Sequence, residues 1–170
     1  GANLTGATAS NVQIGGTAVA SIVSNTATQI VATIGTGTTG LVTVDNGAGI
    51  ATSTSSFTVN ALPNDVSVSA ASINICSGSS TNIVVTGSQS GVSYQLRNNA
   101  GNILVGTAVA GTGGNINLPT GNLTSTTTFN VLATNNTTGC SKQMPTTVTV
   151  TVSADNVAPV ITGCPSNQTI

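Results

Sequence analysis

The sequence contains no histidine, no glutamate and no tryptophan, and 3% of its 170 residues are charged. The charged side chains are spread along the chain, at Asp45, Asp65, Arg97, Lys142 and Asp155. A nucleophilic triad needs a general base, and three aspartates in separate turns and linkers do not supply one. Two basic residues and a net charge of -1 argue against nucleic acid, which is bound mainly by clustered Lys and Arg. We therefore predict a protein that is not an enzyme, has no catalytic residue and has no nucleic-acid partner.

The sequence also lacks the features of metal sites, phosphate-binding loops and membrane spans. Calcium is held by several oxygen ligands, whereas each junction here offers a lone aspartate, so we predict no metal site. The glycine-rich stretches 35–37 and 111–114 precede neither a helix start nor a lysine, so we predict turns rather than phosphate-binding loops and no cofactor. No run of 18 apolar residues occurs, and we predict no membrane insertion in this segment. Any export signal or anchor is expected outside it.

Large aromatic side chains are scarce too, with two Phe and one Tyr. The chain instead carries 31 Thr, together with Val and Ile. These β-branched residues suit strands and disfavour helices. Short strand-like runs, among them 82–86, 92–97 and 126–134, recur at intervals typical of a β-sandwich. The sequence therefore predicts an all-β fold.

Turn residues divide the chain into segments. Residues 1–60 are predicted to form one β domain, and 61–65 a linker, because proline lacks a donor and favours an extended neighbour. Residues 66–153 contain enough strand runs for a second, complete sandwich. Residues 154–170 are predicted to be a linker and the first strand of a further module. Because one or two strands are not stable alone and the first domain begins without a preceding strand, we expect both ends to be cut from a longer protein.

Three cysteines point to an oxidising, extracellular compartment. Cys76 and Cys140 open and close the second domain, and we predict a disulfide between them. The loop-entropy relation gives it about 4 kcal/mol, which would compensate for a core poor in aromatics. Two unrelated buried thiols are the alternative. Cys164 is predicted to be unpaired within the segment, with its partner beyond Ile170.

Tyr94 lies between the two cysteines of the second domain. In immunoglobulin-like sandwiches a bulky aromatic on the third strand commonly packs on the disulfide that joins the sheets. We therefore predict a structural core position for Tyr94. The alternative is an exposed ring that stacks on a sugar.

Three stretches of the sequence resemble known families. Residues 1–59 carry "GANL", "VQIGGTA", "SNTATQI", "GLVTV" and "FTV" and resemble an IPT/TIG domain, an immunoglobulin-like fold, here without the family's usual opening strand. Residues 66–152 carry "CSGSSTNIVVTGSQSGVSYQLRN" and "TSTTTFNVLATNNTTGCS" and are similar to the immunoglobulin-like repeats of giant Bacteroidetes surface adhesins. The tail "VAPVIT" with "CP" resembles the start of a HYR repeat, whose first cysteine pairs further along the repeat.

These resemblances imply tandem immunoglobulin-like β-sandwiches at the cell surface. The expected function is a structural stalk or filament segment of a large secreted adhesin. Its expected partners are neighbouring repeats or copies of itself, whose residues 160–170 could supply the missing strand by strand addition. A glycan- or surface-binding module is the main alternative, with surface glycans as partners. An ice-interacting surface is a third, but the irregular strand spacing does not suit the flat threonine array that it needs.

Overall fold

The computed structural model describes residues 2–35 and 37–154. These residues form β-strands and one turn of 3-10 helix, Ala9–Asn11, and contain no α-helix. The predicted all-β fold is confirmed. The chain divides between Ala61 and Leu62 into two units, which we call unit 1 and unit 2. Most of the further module predicted at 154–170, including Cys164, lies outside the described residues.

Unit 1 packs two small sheets against each other. One sheet has the order β2-β1-β5-β6, and β3 pairs with β4 in the other. The core between them is formed by Ala7, Val12, Ile14 and Val19, with partly buried side chains from both sheets around it. The strands are β1 (Val12–Ile14), β2 (Thr17–Ala18), β3 (Ser21–Asn25), β4 (Ile30–Thr33), β5 (Gly40–Asp45) and β6 (Ile50–Phe57).

The turn between β1 and β2 depends on glycine. Gly15 and Gly16 have φ of 56° and 80°, the left-handed region that a two-residue hairpin turn of this kind needs. Gly40 of β5 lies against the backbone of Gly15, where an added Cβ would come within 2.5 Å of the Gly15 Cα. Close approach at this point allows β5 to pair with β1 from Val12↔Val44 to Ile14↔Val42.

Unit 2 is a larger sandwich. One of its sheets has the order β11-β10-β13-β15-β8, with β14 also paired to β13, and the other has the order β12-β9-β7. The strands are β7 (Ser67–Ala70), β8 (Asn74–Cys76), β9 (Asn82–Thr86), β10 (Val92–Asn98), β11 (Ile103–Ala110), β12 (Ile116–Pro119), β13 (Thr127–Asn135), β14 (Ser141–Gln143) and β15 (Val148–Ser153).

Successive side chains along a strand point to opposite faces of its sheet. In unit 2, every second side chain therefore points into the space between the two sheets. Val92, Tyr94 and Leu96 of β10 are at most 1% exposed, while the residues between them are half-buried. The opposite sheet contributes β-branched and leucine side chains of β9 and β12 in the same pattern. Together they form a continuous core of Val68, Ile83, Val85, Val92, Tyr94, Leu96, Ile116, Leu118, Phe129, Val131, Ala133, Met144, Val148 and Val150.

The first and last strands of unit 2 are each divided. The chain pairs with β9 as β7, crosses over, and then pairs with β15 as β8 in the other sheet. The last strand is interrupted between β14 and β15, where Met144 turns inward and is 1% exposed. Both of its halves pair with β13. Two sheets of mostly antiparallel strands that pack face to face form an immunoglobulin-like β-sandwich, as the sequence predicted.

Candidate load-bearing site at the terminal strands

The chain enters and leaves unit 2 at opposite ends of the sandwich. Asn64 donates its backbone N–H to Oε1 of Gln89 at 3.1 Å, in a loop next to the Asn135 end of β13. We call this end the amino pole. The last residue of β15, Ser153, lies past the other end of β13, where Thr127 pairs with Val150. We call that end the carboxyl pole. Nine residues of β13, about 30 Å, separate the two poles.

The terminal strands β8 and β15 run parallel and are hydrogen-bonded to each other. Asn74, Ile75 and Cys76 lie opposite Thr151, Val152 and Ser153 in register. Two backbone bonds flank this register: the N–H of Thr151 donates to the Ile73 carbonyl at 2.7 Å, and the N–H of Ser77 donates to the Ser153 carbonyl at 3.1 Å. We call β8 and β15 the terminal pair. On its amino-terminal side β8 is preceded by β7, which is paired with β9 in the other sheet, and β15 continues towards the carboxyl terminus.

Pulling on the two ends of such a pair displaces the strands along their own axes. Their hydrogen bonds are then strained together rather than one after another, which is the geometry that resists extension. Buried apolar contacts add to this resistance, because Val150 is 0% exposed and Ile75 packs against the core. Backbone hydrogen bonds and buried apolar contacts therefore both hold β8 to β15.

Contacts at the amino pole fix the chain as it enters unit 2. The side chain of Lys142 lies 2.8 Å from Oδ2 of Asp65, and both side chains are partly exposed. Gln89, which accepts the Asn64 N–H, is held in turn because its own N–H donates to the Tyr94 hydroxyl at 2.8 Å. Pro63 of the predicted linker is buried. The linker segment is therefore attached to the body of unit 2.

Tyr94 is 0% exposed, within the unit 2 core. Its ring is not available to stack on a sugar. Among the described residues the exposed aromatic side chain is Phe57 of β6, at 41%.

The predicted disulfide between Cys76 and Cys140 is not formed. Cys76 ends β8 at the carboxyl pole, whereas the carbonyl of Cys140 accepts the N–H of Asn135 at the amino pole. The two residues are therefore about 30 Å apart along β13, and a disulfide requires Cα atoms within roughly 7 Å. The prediction was wrong because the sequence shows only that the two cysteines flank the same set of strands. It does not show that they lie at opposite poles of the sandwich.

A buried amide organises the sheet that contains β10 and β13. Asn130 is 1% exposed, accepts the Nε–H of Arg97 at 2.8 Å, and donates to Oδ1 of Asn99 at 3.0 Å and of Asn102 at 2.8 Å. Arg97 also donates to Oε1 of Gln143 at 2.7 Å. The network ties the turn between β10 and β11 to two further strands. Sequence reasoning missed it, because its members are separated by some 30 positions and belong to ordinary asparagine-rich turns.

Asp45 is the remaining charged side chain among the described residues. Asp45 accepts the N–H of Gly47 at 2.8 Å and so closes its own turn. Asp155 lies outside the described residues. Within residues 2–35 and 37–154 no three Asp or Cys side chains are grouped closely enough to hold a metal ion. No helix in this part of the chain has the length and apolar character to cross a bilayer.

Comparison with known proteins agrees with this architecture. None of the curated proteins compared with the chain matches it. A family model does match unit 2, from the buried proline that precedes β7 to the last residue of β15. Residues 63–153, more than half of the chain, match the model described as "Ig-like domain CHU_C associated", and the chain belongs to this family.

Proposed function

We propose that the chain is a structural stalk or filament segment of a large secreted bacterial surface adhesin, without catalytic activity. The observation that carries this proposal is the terminal pair, because β8 and β15 run parallel and the chain enters and leaves at opposite poles. Membership in the Ig-like family supports a surface-protein module of the Bacteroidetes type. A stalk must transmit tension between a cell and its attachment point, and this geometry resists tension.

The partners in this proposal are neighbouring repeats of the same chain, or copies of it in a filament. Unit 1 is proposed as an IPT/TIG-like domain, and residues 154–170 as the start of a HYR-like module. The scarcity of charge supports side-by-side packing. Because only 3% of the residues are charged, electrostatic repulsion between like chains is small. Solubility then depends on Thr, Ser, Asn and Gln.

Single-molecule force spectroscopy on the 170-residue chain tests the proposal. Held through its two termini, unit 2 is expected to unfold at a markedly higher force than when held between the amino terminus and a handle on Ile103, at the exposed edge of the sheet. Ile103 lies in β11, away from the terminal pair, so the second geometry does not load β8 against β15. Equal forces in the two geometries would contradict a load-bearing role.

Two variants at Thr151 test whether the terminal pair is the part of unit 2 that resists unfolding under force. Thr151→Pro removes the N–H that bonds to Ile73 and is expected to lower the unfolding force along the termini. Thr151→Ala keeps this N–H and changes an exposed side chain, so the force should stay near that of the wild type. If the proline variant is folded by circular dichroism and unfolds at the wild-type force, the terminal pair is not the point of resistance.

Direct binding of a glycan or host surface is the second candidate function. A specific feature of unit 1 favours it: an apolar groove of about 330 Å³ that includes Phe57, the exposed aromatic ring. Saturable binding on a glycan array that is lost in Phe57→Ala would support this function over a purely mechanical one. Absence of binding, together with direction-dependent unfolding force, would favour the stalk.

A further inference from the structure

Strand β11 forms an exposed edge of the larger sheet of unit 2. Within the part of the chain that the structure describes, β11 is paired with β10 alone, so its other side has no neighbouring strand. The strand has eight residues and contains neither a charged residue nor a proline. Short length, lysine and proline commonly protect sheet edges from pairing with another chain. None of these three features protects β11.

Two neighbouring residues of this edge are large, apolar and exposed. Ile103 and Leu104 are each 65% exposed. Val105 packs against the core, so Ile103, two positions before it, is on the inner face of the sheet, and Leu104 is on the outer face. A partner that packed on one face would cover only one of the two exposed residues. An added strand, which lies beside the edge, would cover both.

The regular part of this edge is short and well defined. On one side it is bounded by the turn between β10 and β11, whose last two residues have positive φ. On the other side residues 106–108 form a bulge opposite Gln95. The Gln95 side chain donates to the carbonyls of Val105 and Gly106 at 3.1 Å and 3.3 Å, and so holds the bulge in place. The segment that can pair with a further strand is therefore 103–105.

The backbone of Leu104 faces the free side of this segment. The Val105 carbonyl accepts a hydrogen bond from Gln95 of β10 and so points towards β10. Successive residues direct their backbone groups to opposite sides of a strand, so the N–H and carbonyl of Leu104 point away from β10. Two copies of Leu104 placed opposite each other would exchange two hydrogen bonds, with Ile103 of each copy opposite Val105 of the other. We propose that β11 pairs antiparallel with β11 of a second copy of the chain, about a twofold axis at Leu104.

The charge nearest to this edge does not oppose the pairing. Arg97 of β10 directs its guanidinium away from β11, towards Asn130 and Gln143 on the strands beyond β10. In the paired sheet three strand spacings, about 14 Å, would separate the two β10 strands. This distance exceeds the electrostatic screening length of about 8 Å at physiological ionic strength. Repulsion between the two arginines is therefore small.

Three residues from each copy form a small interface. Stable complexes bury about 1,200 Å² or more in total, and a contact of this size buries less. We therefore expect weak, concentration-dependent association between single chains. Several modules aligned side by side would add such contacts and bind more tightly. The inference goes beyond the proposed stalk function, because it concerns lateral contact between chains rather than tension along one chain.

Disulfide trapping in the full chain, with its natural cysteines changed to serine, tests the register. Residues directly opposite each other have Cβ atoms about 5 Å apart, so Leu104→Cys should give a covalent dimer on mild oxidation. Thr107→Cys is the matched control, because Thr107 is an exposed residue of the same strand. Its two copies would lie about 20 Å apart, beyond the roughly 7 Å that a disulfide allows. Equal cross-linking of the two variants would overturn the proposal.

Sedimentation equilibrium under reducing conditions tests the association without a cross-link. As the wild-type concentration rises into the millimolar range, the average mass should increase from that of one chain towards that of two. Leu104→Lys places like charges opposite each other and should remain monomeric, whereas Thr107→Lys should associate as the wild type does. Circular dichroism checks that both variants are folded. A monomeric wild type, or equal association of Leu104→Lys and the wild type, would refute the pairing. Neither measurement depends on unfolding force, so this proposal and the stalk function can fail separately.

Discussion

The Tyr94 hydroxyl accepts a 2.8 Å hydrogen bond from the backbone N–H of Gln89, whose side chain accepts the N–H of Asn64. A core aromatic thus holds the loop that receives the incoming chain. Tyr94→Phe keeps the ring but leaves a partly buried N–H without its acceptor, so the free energy of unfolding should fall by about 1–2 kcal/mol. Urea denaturation measures the change, and an unchanged midpoint would show that water satisfies this N–H.

Gly111 lies against the same loop. A Cβ added there would overlap the Gln89 carbonyl oxygen and lie 3.0 Å from Cε2 of the buried Tyr94 ring. Because backbone and core must both move, Gly111→Ala should lower the free energy of unfolding by about 3 kcal/mol. Gly114→Ala is the matched control, since its nearest atom is the Thr112 hydroxyl at 3.8 Å. Similar melting temperatures for the two variants would contradict the prediction.

Asn130 should be the most sensitive polar side chain of unit 2. Asn130→Ala removes the acceptor of the Arg97 Nε–H and the donor to the side-chain oxygens of Asn99 and Asn102, and we expect a loss of about 2–4 kcal/mol in chemical denaturation. Gln143→Ala serves as the control, because it removes one exposed contact of Arg97 and should cost less than about 1 kcal/mol. A smaller loss for Asn130→Ala than for the control would refute the importance of the buried network.

The ion pair between Asp65 and Lys142 should contribute little to stability. Its side chains are 53% and 35% exposed, so solvent and salt screen the attraction. Asp65→Asn should change the free energy of unfolding by less than about 1 kcal/mol, and the difference should shrink further in 1 M sodium chloride. A salt-independent loss of several kcal/mol would mean that Asp65 has a structural role beyond the ion pair.

Sequence patterns predicted the strands that alternate strongly. The run 82–86 coincides with β9, and the runs 92–97 and 126–134 agree with β10 and β13 to within a residue at each end. Burial alternates with period two in β9 and β10, and also in β13 apart from the buried Asn130. The three-residue strands β8 and β14 were missed because so short a run carries no periodic signal.

Features that depend on topology were less predictable. The chain interval between Cys76 and Cys140 says nothing about which pole each loop occupies, and only the β13 register separates them. The terminal pair could not be predicted either, because the sequence does not indicate that the first strand of unit 2 changes sheets. Burial of Asn130 depends on partners from a distant hairpin, which composition does not identify.

The two cores have a consequence for extension. Among the described residues, unit 1 buries four hydrophobic side chains and unit 2 buries fourteen. Under a slowly rising load the weaker fold should yield first and release about 200 Å of slack from its roughly 60 residues, while the stronger one stays closed. The chain would then lengthen in steps and dissipate a sudden pull before the more resistant sandwich bears it.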